Sequence, residues 1–283
     1  MPFWRRCRID AIQPRVTLPH RHTAHATPLD FGVPRLNPIA SVPGLAGLVV
    51  SAHSADFVWR AAGAIALHVQ RGYHMKVVCL SYGERGESAK LWRKGAMTID
   101  AVKAARRVEA EKAAQILGAE IEFFDLSDYP LRVNDEALFR LVDIYRALQP
   151  AFVLSHSAKD PYNFDHPLAM HVTQEARVIA QAEGHQPGEK IIGAPPVYAF
   201  EPHQTEQCEW VPDTFLDITE VWDKKRAAIE AMAGQEHLWE YYTRVAQQRG
   251  MQAKRNLGIT SARQIDYAEG YMRLTPQVVN TLG

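Results

Sequence analysis

Five short, mostly apolar runs punctuate this chain, at 45–52, 75–80, 121–124, 151–155 and 196–200, and the first has no polar alternation at all. A run of four to eight residues with no polar face reads as a strand buried on both sides, as in a parallel sheet covered by helices. Stretches of helical spacing separate the runs. They cover 56–72, 98–117 (stopping at Gly118), 135–148 (closing before Pro150) and 167–182, with a final helix expected over about 221–248. Strands alternating with helices predict right-handed crossovers and an α/β, Rossmann-like three-layer sandwich with a mostly parallel sheet. The chain of 283 residues is long enough for one such domain, expected over 45–283.

Residues 1–44 differ in kind. They carry six Arg against two acids, and seven of the 17 prolines (Pro2, Pro14, Pro19, Pro28, Pro34, Pro38 and Pro43). Such a segment forms neither a helix nor a central strand, and it is expected to be a poorly ordered extension. It contains no apolar stretch of secretory-signal type. His20, His22 and His25 fall in it and read as chance composition rather than as a metal cluster. Over the whole chain, 32 Lys+Arg balance 32 Asp+Glu. No overall basic field for nucleic acid exists, and no apolar run approaches the length of a membrane span. Cys7, Cys79 and Cys208 lack CxxC spacing. That argues against a disulfide framework and for a reducing, cytoplasmic setting. A homo-oligomer stays open.

In α/β folds the chemistry lies beyond the carboxyl ends of the strands. Those places hold His53-Ser54-Ala55-Asp56, then Ser81 to Ser88 with Glu84 and Glu87, then His156 and the Asp160–His166 segment, then Glu201-Pro202-His203. Titratable groups thus gather at one rim. His53 and Asp56, three apart at a turn, suit a borderline cation, and His166 at another strand end is the best third ligand, which leaves a position open for water. The competing role for Asp56 or Ser54 is to cap the following helix. Glu84 and Glu87 could instead pair with Arg85 and Lys90 at the surface, and His203 and His156 could be structural.

The residues also resemble a known family. His53-Ser54-Ala55-Asp56 lies where LmbE-like, or PIG-L-type, zinc N-deacetylases carry His-Pro-Asp-Asp. Gly83-Glu84-Arg85-Gly86 resembles their GExG turn, and Asn163-Phe164-Asp165-His166 their His-Pro-Asp-His segment. Leu216-Asp217-Ile218-Thr219 with Lys225, and Tyr267-Ala268-Glu269-Gly270, resemble their C-terminal signatures. The likeness spans about 46–272. It implies a Rossmann-like fold and one Zn²⁺ per chain, held by His53, Asp56 and His166. The departures are chemical. Ala55 stands where the family has its general base, Phe57 where an acid is usual, and Asn163 where a helper His is usual.

Further stretches are similar to the 4-oxalomesaconate hydratase branch of the family: 81–95, Ser155-His156 through Tyr162, Gly193 to His203, and Ala233 to Trp239. That resemblance implies addition of water across a conjugated C=C of a tricarboxylate 2-oxo acid, giving 4-carboxy-4-hydroxy-2-oxoadipate in bacterial gallate and protocatechuate breakdown. Such chemistry needs a Lewis acid for enolate charge, a base for water, an acid for carbon, and cations for a small anionic oxo-acid. Glu87 is expected as the base and His203 as the acid, with Arg85, Lys90, Arg93 and Asn163 binding the substrate. A zinc-dependent N-deacetylase of an N-acetylated amino sugar is the alternative, and Ala55 is its main difficulty.

Overall fold

The structure is a computed structural model, and it describes residues 44–258 and 263–281. The expectations placed on residues 1–43, including the three histidines there, lie outside the described residues. The chain runs β1 (Ala46–Ser51), α1 (Asp56–Gln70), β2 (His74–Cys79), α2 (Ala89–Trp92), α3 (Ile99–Leu117), β3 (Glu120–Phe123), α4 (Asp135–Leu148), β4 (Phe152–Ser155), α5 (Asp165–Ala180), β5 (Val197–Phe200), β6 (Thr214–Asp217), α6 (Trp222–Ala231), α7 (Trp239–Asn256) and β7 (Ala268–Arg273).

One seven-stranded sheet is built in the order β3-β2-β1-β4-β5-β7-β6. The five apolar runs supply β1 to β5, all in parallel pairs. Every residue of β1 is buried, as expected of a strand covered on both faces. Strands β6 and β7 pair antiparallel and close the edge. The sequence reading missed both, because β6 is half-buried along its whole length and neither forms an apolar run. The expected final helix over 221–248 is two helices. A 3₁₀ turn at Ala233–Leu238, with Gln235 at φ −128° and ψ 36°, breaks it.

Two apolar layers flank the sheet. Phe57, Ile65, Leu117, Ile229 and Met232 pack on one face, under α1, α3, α6 and α7. Leu48, Val50, Leu141, Tyr145 and Met170 pack on the other, under α4 and α5. Local signals agree with these helices. The Thr98 hydroxyl accepts the Ala101 N–H at 3.2 Å to start α3, and the Asn134 side chain accepts the Ala137 N–H at 2.9 Å to start α4. Strand order reverses between β1 and β4, which opens a crevice at their carboxyl ends.

Helix α1 is braced from within. The buried Glu269 carboxylate on β7 accepts the N–H groups of Gly63 and Ala64, both at 2.7 Å. Lys225 Nζ donates to Glu269 at 2.6 Å and to the Trp59 carbonyl at 3.2 Å, and the Tyr271 hydroxyl donates to Glu269 at 2.6 Å. A side chain can approach a helix backbone this closely only where there is none in its way. A Cβ on Gly63 would stand 2.9 Å from Glu269 Oε1 and 2.7 Å from Ile218.

Removing one partner of a buried pair leaves the other charge uncompensated. Lys225→Met should therefore lower stability by about 3–5 kcal/mol in chemical denaturation. An unchanged midpoint would mean that the pair does not brace α1.

Candidate active site at the β1–β4 crevice

Each expected metal ligand comes from a different part of the reversal point. Residues of β1 end at Ser51, and the turn that follows presents His53. Asp56 is the first residue of α1, and His166 is the second residue of α5. All three are buried. His53 Nδ1 lies 3.1 Å from Asp56 Oδ2, and His166 Nε2 lies 3.6 Å from Asp56 Oδ1. The remote ring nitrogens are held as well: His53 Nε2 sits 3.2 Å from Asp165, and His166 Nδ1 sits 2.8 Å from Asp160. A carboxylate behind an imidazole fixes its tautomer and ring angle, which is how metal-binding histidines are usually supported.

The arrangement fits a divalent cation. His166 Nε2 is buried and has no hydrogen-bond partner, a costly state for a polar atom that a metal would relieve. Donor atoms of His53, Glu87 and His166, and of Asp56, His156 and His166, each fall within 4.8 Å of one another. Asp56, His156 and Glu87 each have hydrogen-bond partners within the protein, and the Asp56 carboxylate accepts the His53 backbone N–H at 2.8 Å. His156 Nε2 accepts the Ala52 N–H at 2.9 Å. Glu87 accepts Asn163 Nδ2 at 3.2 Å and Gln235 Nε2 at 2.9 Å. Both groups combine two imidazoles with a carboxylate, a donor set that suits Zn²⁺.

The electrostatics run the same way. Burial opposes charge on Asp56, but the imidazoles of His156, His166 and His53 outweigh it and hold the carboxyl well below its usual range. His53 is pushed up despite its burial, by Asp56, Asp165 and Glu87. Burial, then the charge of His166, pushes His156 down to about 3, so it stays neutral.

A cavity of ≈320 Å³ opens over these groups, walled by Asp56, Arg60, Glu87, Lys90, Asn163, His166 and His203 among others. Glu87 Oε1 stands 3.9 Å from His53 Nδ1. His203 stacks on Tyr241 with ring centroids 4.4 Å apart, and burial lowers its pKa. Lys90 lines the cavity while its Nζ contacts Glu236 at 2.8 Å. Glu84 is elsewhere: it is fully buried and neither carboxylate oxygen has a hydrogen-bond partner, and burial raises its pKa.

Two expected substrate-binding residues are not in the cavity wall. Asp128 accepts the Arg85 N–H at 2.8 Å and the Gly86 N–H at 2.6 Å, and Arg85 Nη1 turns back to the Asp128 carbonyl at 3.0 Å. The Arg85 guanidinium is thereby drawn off the site. Arg93 ends the single turn of α2 and is exposed. The loop is packed without slack, since a Cβ on Gly86 would fall 2.3 Å from the Tyr129 ring. Sequence reading also missed Asp160, Asp165, Gln235 and Arg60. Asp165 was adjacent to a recognised ligand, and Arg60 was one helical turn beyond Asp56.

Comparison with known proteins agrees with this geometry. A family model described as GlcNAc-PI de-N-acetylase, PIG-L, matches residues 48–177. A protein of Pseudomonas putida KT2440 named 4-oxalmesaconate hydratase is 73% identical over 242 residues, which span 86% of this chain and 94% of that protein. A crystal structure of 4-carboxy-2-hydroxymuconate hydratase from the same organism superposes with a TM-score of 0.83 at 74% identity, covering 84% of this chain and 100% of the other. N,N'-diacetylchitobiose deacetylase from Pyrococcus horikoshii shares the fold, with a TM-score of 0.65 at 22% identity over 81% of this chain and 83% of its own.

Asp128 accepts two backbone N–H groups of the loop that carries Glu87. Asp128→Ala leaves both donors without their acceptor, and should lower stability by about 2–3 kcal/mol. The check is the thermal midpoint, and an unchanged midpoint would show that the loop is held by other contacts.

Proposed function

The chain belongs to the PIG-L, LmbE-like family, and on that premise we propose that it is a hydro-lyase, a hydratase that adds water to the C=C of 4-oxalomesaconate. The product is 4-carboxy-4-hydroxy-2-oxoadipate. The single observation that carries this reading is the identity of 73% to a named hydratase across nearly the whole of that protein. The geometry supplies the reason. Ala55 stands at the N-cap of α1 and is 2% exposed, so the position at which the family keeps its general base has no group that moves a proton. The amino-sugar deacetylase reading has no comparable support. We place the reaction in gallate and protocatechuate breakdown, in the cytoplasm. Among the described residues no helix is long and apolar enough to cross a membrane.

His53, Asp56 and His166 would hold one Zn²⁺. That ion supplies a Lewis acid for the charge that develops on the 2-oxo group. The remaining steps belong to side chains. Glu87 takes a proton from water as its oxygen bonds to carbon, with Asn163 and Gln235 fixing the carboxylate's orientation from either side. His203 gives a proton to the carbon that becomes CH₂. Its lowered pKa makes the imidazolium a stronger acid and reduces its share at neutral pH. Lys90 and Asn163 lie in the wall where the substrate's anionic groups and water must sit.

Elemental analysis should find about one zinc per chain, lost in His53→Ala and in His166→Ala while circular dichroism stays native. Full zinc in both variants would overturn the ligand set. Asp160→Asn and Asp165→Asn should each weaken metal binding about 10–100-fold.

Loss of the substrate's conjugated absorbance reports hydration, and an acetate assay reports deacetylation. The wild type should show the first and no activity on N-acetylated sugars. Glu87→Ala and His203→Ala should each lower kcat about 10²–10⁴-fold with little change in KM. Acetate release by the unmutated protein would reverse the assignment.

A further inference from the structure

Arg60 is a buried cation whose nearest carboxylate, Asp56, stands 3.7 Å from Nε, beyond hydrogen-bond distance. It lies one turn into α1 and its side chain is 6% exposed. It nevertheless forms part of the cavity wall beside Asp56, His166 and His203. Of its five N–H donors, one on Nη1 reaches the Glu201 carbonyl at 3.0 Å. Nε is buried and has no acceptor. A buried guanidinium normally finds a carboxylate in a two-point contact.

Every acid nearby is already committed. Asp56 Oδ1 is 3.7 Å from Arg60 Nε, beyond hydrogen-bond distance, and Asp56 faces His53, His156 and His166. Glu87 is taken by Asn163 and Gln235. Asp160 accepts from the Tyr162 N–H at 3.0 Å and contacts His166 at 2.8 Å. The Glu201 carboxylate is held by Arg249 at 2.8 and 2.5 Å. Of the other cations expected to meet the substrate, Lys90 already contacts Glu236, while Arg85 and Arg93 are outside the wall.

We propose that Arg60 binds a carboxylate of the substrate, taking the place that sequence reading gave to Arg85 and Arg93, and so selects a polyanionic oxo-acid over a neutral ligand. The inference rests on the hydratase reading and deepens it. The cavity is a low-dielectric setting in which a charge-assisted bond with a planar donor discriminates strongly. The carboxylate would supply an acceptor to the part of the guanidinium that lines the cavity, at little cost in desolvating Arg60, which folding has already buried.

The test uses the metal-loaded protein and two variants, Arg60→Lys and Arg60→Gln, each assayed for zinc content. Wild-type hydration of 4-oxalomesaconate comes first, since its absence would overturn the hydratase reading and with it this one. Calorimetry then measures binding of the product, 4-carboxy-4-hydroxy-2-oxoadipate, and of pyruvate, a 2-oxo acid with a single carboxylate. Arg60→Gln should weaken product binding about 10–100-fold and leave pyruvate binding within about twofold. Arg60→Lys, which keeps the charge and loses the fork, should raise KM about tenfold with kcat held within a few-fold. Product binding at wild-type strength in Arg60→Gln, with hydration intact in the wild type, overturns the inference. So does loss of zinc or of the fold in both variants, because Arg60 would then support Asp56 rather than the substrate.

Discussion

Helix α1 depends on a carboxylate that reaches it from the far end of the chain. Glu269 takes two N–H groups from the middle of that helix, and Lys225 and Tyr271 complete its shell. Four donors around one buried carboxylate leave no lone pair to satisfy elsewhere, which is the condition under which a buried charge is tolerable. The consequence is positional. Asp56 and Arg60 both project from the first turns of α1, so the pose of the candidate metal cluster and of the Arg60 guanidinium is set by contacts one to two turns further on. The family model ends at residue 177, yet the atoms that brace the residues it covers lie at 225, 269 and 271.

Much of this was legible in the sequence, for reasons that are themselves physical. A parallel strand buried on both faces leaves an apolar run, clearest in β1, and the mostly apolar runs of β2 to β5 could be found by the same signal even though β3 is only half-buried. The two antiparallel strands leave no such trace. β6 is half-buried throughout, and Tyr267-Ala268-Glu269-Gly270, which resembles a family signature, gives no sign that the Glu269 carboxylate accepts N–H groups in the middle of α1. The break between α6 and α7 sits at Gln235, an unremarkable residue by propensity. It is kept there by bonds to Arg106 at 2.7 Å and to Glu87 at 2.9 Å, which no local pattern encodes.

The cluster of histidines and acids could be placed because the topology names the strand ends, but the choice of cations could not. Counting basic residues near Glu87 favoured Arg85 and Arg93. Backbone bonds to Asp128 decided otherwise for Arg85, while Arg60, hidden in an otherwise apolar helix, faces the cavity. At Ala55 a single methyl group stands at the turn before α1, and the cavity wall draws two titratable groups, Glu87 and His203, from the β2 loop and the segment after β5.

The placement of β7 has a bearing on how the protein comes into being. Gly63 and Glu269 are 206 residues apart, and β7 enters the sheet between β5 and β6 rather than at its margin. A contact of that span costs loop entropy before it returns anything, so it forms late. On the ribosome, the helix that carries Asp56 emerges long before the strand that braces it. The nascent chain can collapse its first strands while its active centre still lacks a fixed scaffold. A chain lacking β7 would keep the candidate ligands and lose the carboxylate that braces the helix carrying Asp56.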